Sequence, residues 1–147
     1  MQYTISEHKA KYDNLFKMIL LIPIAIIIFT AILTYKSEPQ ATWVFTGIVV
    51  FIVLLFWIII PRKFVIMQDR IKFVLGANIY FDIHFSKIML ARELKRVNFG
   101  INFSTSFREP VEIVRGKGMK INFSPINRES FIQDLDTALL NWRRASS

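Results

Sequence analysis

The chain has 147 residues, 53% of them hydrophobic, a formal net charge of +8 and no cysteine. Disulfides, thiol catalysis and thiolate metal sites are thereby excluded, and the length leaves room for one small soluble domain beside any membrane segment. The positive excess sits mainly from Arg62 onward, where 15 Lys/Arg face 8 Asp/Glu.

Residues 1–14 are polar and aromatic without a clear period and are read as a cytoplasmic N-terminal segment, in which Tyr3-Thr4-Ile5 has strand-like content. His8 stands beside Glu7 with no second ligand at helical or strand spacing, so no metal site is expected there.

Residues 15–61 hold two uncharged apolar runs, Met18 to Tyr35 and Pro39 to Pro61. A bilayer core of about 30 Å takes about 20 apolar residues rising ~1.5 Å each, so both runs are long enough to span. A chain this short cannot surround two helices that are apolar on every face, and the first run exceeds the roughly 7 to 15 residues of a signal-peptide core. Only Lys36-Ser37-Glu38 separates the runs, which makes the helices antiparallel neighbours. Lys9, Lys11 and Lys17 precede the first run and Arg62 and Lys63 follow the second, whereas the connector has Lys36 alone. That bias places both termini in the cytoplasm of a multi-pass inner (plasma) membrane protein. Tyr35 and Trp43 suit the outer interface, and Tyr12, Phe16 and Trp57 the inner one. Thr30, Ala31 and Thr34 are candidate helix-helix packing positions opposite Thr42, Thr46 and Gly47, where small and hydroxyl side chains permit close approach. In the competing reading the hydroxyls bond back to their own helix. Pro23 interrupts one hydrogen bond of the first helix.

From residue 62 to 147 the period becomes two. Phe64 to Met67, Arg70 to Leu75 and Ile79 to Phe85 are β-branched and aromatic runs divided by Gln68-Asp69 and Gly76-Ala77-Asn78. In the third run Phe81, Ile83 and Phe85 alternate with Tyr80, Asp82, His84 and Ser86, which implies one buried and one wet face. Ser86 to Arg96 fits a short strand or a helical turn equally. Val97, Phe99, Ile101 and Phe103 then alternate with polar residues in a further strand, and Val111–Arg115 and Met119–Phe123 flank a tight Gly116-Lys117-Gly118 turn. Asn127 is a good helix cap, after which Phe131, Leu135, Ala138 or Leu139, and Trp142 recur on one stripe. The fold class is therefore a membrane α-helical hairpin plus a mainly-β domain, a small barrel or sandwich of six to seven strands with one C-terminal helix.

Three features carry a family resemblance: Pro61-Arg62-Lys63-Phe64 opening the first strand, the Val111-Glu112-Ile113 strand, and the closing run from Ile121-Asn122-Phe123-Ser124-Pro125 through Asn127 and Glu129 to Phe131-Ile132. In these the chain resembles the bacterial pleckstrin-homology-like domain, a small, partly open β-barrel with a C-terminal helix often placed directly after two transmembrane helices. The resemblance covers roughly Pro61 to Trp142 and implies a binding module rather than a particular ligand. It departs from phosphoinositide-binding relatives in its first hairpin loop, where Gln68-Asp69-Arg70 is too short and too poor in charge to enclose a headgroup.

Asp82, His84 and Ser86 share one face of a strand, but same-face neighbours stand roughly 6.5 to 7 Å apart, too far for a nucleophile and its base. No phosphate-cradling glycine loop precedes a helix. The one basic grouping of interest comprises Arg62, Lys63, Lys87, Arg92, Lys95 and Arg96, candidates to face anionic lipid or an acidic partner. No nucleic-acid motif appears among the scattered basic residues. The expected protein is not an enzyme, takes no cofactor, and acts as an interaction or scaffolding module, by self-association as a homo-oligomer or as an accessory subunit beside other membrane-protein subunits, with the bilayer and anionic lipid as further partners. Two alternatives are an oligomeric transport or pore component built on the hairpin, which the absence of ionisable residues in both runs opposes, and a peripheral anionic-lipid-sensing module.

Overall fold

The computed structural model describes residues 3–95 and 99–146. Strand β1 (Thr4–Lys9) leads into two helices, α1 (Asn14–Thr34) and α2 (Pro39–Ile59). Seven strands follow: β2 (Pro61–Met67), β3 (Arg70–Leu75), β4 (Tyr80–His84), β5 (Ile88–Glu93), β6 (Ile101–Phe103), β7 (Val111–Arg115) and β8 (Ile121–Phe123). Helix α3 (Arg128–Ser146) closes the chain.

Helices α1 and α2 have 21 residues each and are long and apolar enough to cross a membrane. No residue of either is buried within the protein, although nearly every side chain is apolar, so both need non-aqueous surroundings. Their connection is tight because the Ser37 and Glu38 amides both donate to the Thr34 carbonyl, at 3.2 and 2.8 Å. Pro39 then opens α2 at a position where its missing N–H costs nothing.

Two four-stranded sheets make up the β part. In the first, β1-β2-β3-β4, every neighbouring pair is antiparallel. The second has the order β5-β7-β8-β6, antiparallel except that β6 runs parallel to β8. Between the sheets lies an aromatic core: Phe64, Phe73 and Phe123 meet with ring centres 4.8 to 5.4 Å apart, and Phe131 from α3 joins at 5.0 Å from Phe123. Helix α3 adds Leu135, Ala138 and Leu139 from the same stripe, and its first turn is capped by Asn127, whose Oδ1 accepts the Ser130 amide at 3.1 Å.

Seven strands form after the hairpin, within the six to seven expected there, and an eighth comes from the N-terminal segment, so both undecided segments enter sheets. The N-terminal segment supplies β1, paired from Thr4↔Met67 to Lys9↔Lys63, and the 86–96 segment supplies β5. The hairpin α1–α2 is thus the connection between two adjacent antiparallel strands of one sheet.

Three expectations need correction. Ser86 does not prolong β4, because Phe85–Lys87 turns as a short 3-10 helix. Of the strand expected from Val97, residues 97 and 98 lie outside the described residues; Phe99 is 88% exposed, and pairing starts only at Ile101, whose amide reaches the Lys120 carbonyl at 2.8 Å. Met119 is likewise exposed, and β8 begins two residues after it.

Candidate interaction surface at the hairpin-domain junction

Both feet of the hairpin are bonded into the β domain. On the entering side the Ala10 amide donates to the Arg62 carbonyl at 2.9 Å and the Lys11 amide to the Ser124 carbonyl at 2.7 Å, while Thr105 Oγ1 donates to the Lys11 carbonyl at 2.6 Å. Tyr12 Oη spans to the Pro61 carbonyl at 2.5 Å and so links the two feet directly. Burial of the Tyr12 phenol pushes its pKa up against the opposing Arg62 charge, which keeps it a hydrogen-bond donor.

Asp13 is the cap of α1. Its Oδ1 accepts the Phe16 amide and its Oδ2 the Phe107 amide, both at 2.7 Å, so one carboxylate starts the helix and holds the 104–109 loop beside it. Burial disfavours the charge, but the two amides, the Ser106 side chain and nearby Arg108 outweigh it and hold the carboxyl below its ordinary range. Under that loop the Ser104 and Ser124 hydroxyls lie against each other and both reach the Ser106 carbonyl, at 2.6 and 3.0 Å.

On the leaving side the Gly76 amide donates to the Ile60 carbonyl at 3.1 Å. A Cβ on Gly76 would lie 1.5 Å from the Trp57 carbonyl oxygen. Only glycine lets the β3–β4 turn approach the last turn of α2 this closely. Ala77 and Asn78 follow at φ +51° and +58°, left-handed values that let the turn fold back. Arg62 stacks over Trp57, 5.3 Å from the ring centre.

Among the described residues, the basic residues expected to act together each have surroundings of their own. Arg62 is on Trp57, Lys63 pairs with Glu7 at 2.9 Å, and exposed Lys87 lies in the 3-10 turn. Lys95 lines a separate cleft of about 580 Å³ with Arg108 and Arg128, and Arg96 lies outside the described residues. Arg92 Nε donates at 2.6 Å to Glu112, a fully buried carboxylate whose other oxygen lies 3.6 Å from Lys120 Nζ. Register places Arg92, Glu112, Asn122 and Asn102 in one row across β5, β7, β8 and β6. This row is not legible in the sequence, where Glu112 stands only as the middle of the Val111-Glu112-Ile113 strand; Asn122 and Asn102 in the neighbouring runs were the available signal.

At the far end of the hairpin, Thr30, Thr34 and Thr46 hydroxyls donate to carbonyls of their own helices, at 2.9 to 3.3 Å. Thr42 Oγ1 crosses to the Ala31 carbonyl at 3.4 Å. Gly47 has nothing within 4 Å of the position a Cβ would take, so it is not a point of close helix approach.

The two histidines are structural in setting. His84 Nδ1 lies 2.8 Å from Ser86 Oγ and accepts the Ser86 amide at 3.2 Å, because the 3-10 turn brings the two side chains together where a strand would hold them apart. Arg70 bridges Asp69 and Asp82 beside them, at 2.8 Å to each, and its guanidinium holds the Asp69 carboxyl below the usual range. His8 Nε2 meets Asp134 at 3.0 Å and ties β1 to α3, with its ring edge-on to Phe131. No three metal-ligating side chains converge among the described residues.

Comparison of the chain with protein-family models, with curated proteins and with solved structures returns no match in any of the three.

Proposed function

We propose that the chain is a non-enzymatic integral membrane protein whose β domain, resembling the bacterial pleckstrin-homology-like fold, serves as an interaction module on the cytoplasmic side of the inner membrane. It works by self-association or as an accessory subunit of a larger membrane assembly. One observation carries the reading: the apolar hairpin is inserted between the paired strands β1 and β2. A domain tethered at one end swivels, whereas one gripped at both feet presents the same face to the bilayer at all times. Two four-stranded sheets with a closing helix support a small pleckstrin-homology-like barrel or sandwich. Extraction from native membranes in mild detergent, followed by mass photometry and peptide identification, tests the proposal. A defined homo-oligomer or a reproducible set of co-purifying subunits is expected; a lone monomer sinks it.

A further inference from the structure

Where α1 leaves the β domain there is a cleft of about 560 Å³, lined among others by Lys11, Asp13, Asn14, Leu15, Phe107 and Arg108. That volume falls within the roughly 300–1,000 Å³ of small-ligand sites. Its walls are of two kinds. Lys11 and Arg108 bring cationic donors, while Leu15 and Phe107 bring exposed apolar surface. The α1 N-terminus is not the anion site, because Asp13 caps it through the Phe16 amide and sets its own carboxylate there. Lys11 Nζ lies 3.9 Å from the exposed Glu109 carboxylate, beyond hydrogen-bond distance.

We propose that this cleft seats the phosphate of an anionic membrane lipid, with Lys11 and Arg108 on the phosphate oxygens and Leu15 and Phe107 flanking the upper part of an acyl chain. The inference rests on the membrane placement of α1 and α2 proposed above. With α1 in a bilayer, Leu15 begins its hydrocarbon-facing surface and Lys11 stands four residues outside, at headgroup depth. A soluble phosphate compound would gain nothing from an apolar wall continuous with the lipid-facing helix. Lys17, exposed and three residues on from Asn14, lies on the same side of α1 and can extend its ammonium back toward that depth.

The full chain is placed in nanodiscs of phosphatidylcholine with increasing phosphatidylglycerol, and lipids retained after mild release are counted by native mass spectrometry. Wild type is expected to retain phosphatidylglycerol selectively. Lys11→Gln with Arg108→Gln should weaken that retention at least tenfold, since each basic residue near a membrane contributes about 1 kcal/mol, roughly fivefold. Lys11→Arg with Arg108→Lys should keep it. The charge-matched control Arg115→Gln with Lys117→Gln, at the other end of β7 from Arg108, should change it less than twofold. Equal loss in both double variants, or none in the first, overturns the inference. Displacement by excess soluble glycerol phosphate overturns the lipid assignment in favour of a soluble ligand. Alkaline carbonate washing is run in parallel: if it strips wild type from membranes, the membrane placement itself has failed, whereas a retained protein without lipid selectivity refutes only this site.

Discussion

A methyl group at Gly76 would have to share space with the Trp57 carbonyl, a backbone atom that no rotamer change can move. Overpacking against flexible side chains costs about 1–3 kcal/mol, so Gly76→Ala should cost at least the upper end of that range, read as a lowered midpoint in thermal or denaturant unfolding. The buried Glu112 makes a second residue-scale prediction. Removing one partner of a buried pair strands the other charge at a cost of about 3–5 kcal/mol, less here because Arg92 is half-exposed and Lys120 remains close. Arg92→Ala should therefore destabilise by about 1–3 kcal/mol, and Arg92→Met combined with Glu112→Leu should recover most of the loss in the same denaturation assay. Both residues were visible beforehand only in part. Gly76 stood out as a turn signal, yet its reason is close approach to α2, which depends on a partner far away in three dimensions. Arg92 was singled out as an outward cation, but strand alternation cannot say that Glu112 lies opposite it in the sheet.

Elements whose own period or caps define them were the legible ones. Helices α1 and α2, strands β2 to β4, the β7–β8 hairpin and the Asn127 cap of α3 each follow from local pattern. Strand β1 and strand β5 are mixed in composition and become strands because β2 and β7 offer them partners. The parallel pairing of β6 with β8 was not foreseeable from turn chemistry, since it skips over β7. Asp13 joins two elements at once, and Asp13→Asn separates the roles: the amide oxygen can still cap α1 through Phe16, while the –NH₂ group cannot accept from Phe107. The Phe107 amide should then exchange with deuterium faster, with α1 unchanged. Because the folded Asp13 carboxyl titrates below its unfolded value of about 3.9, its contribution is fully present above that pH and is lost as pH falls through the depressed value. Phe107 protection in the wild type should disappear over that same acid range and stay constant near neutrality.

For the molecule as a whole, the insertion of the hairpin between paired strands predicts which pieces fold. A chain truncated to residues 62–147 lacks β1, leaves the long β2 as an open edge and loses the His8–Asp134 contact to α3. It should be aggregated or molten by circular dichroism and NMR dispersion. Replacing residues 14–59 with a short flexible linker, so that β1 and β2 stay joined, should instead give a soluble, cooperatively unfolding domain. The same connectivity sets an order of events during synthesis. Strand β1 leaves the ribosome first and cannot pair until all of α1, α2 and β2 have followed. With the helices in a bilayer, that pairing is possible only when both feet have come out on one side. A hairpin inserted with its ends on opposite faces leaves β1 and β2 separated by the hydrocarbon layer. The first sheet then stays open, so correct threading of the membrane is checked by the folding of the domain before any partner is met.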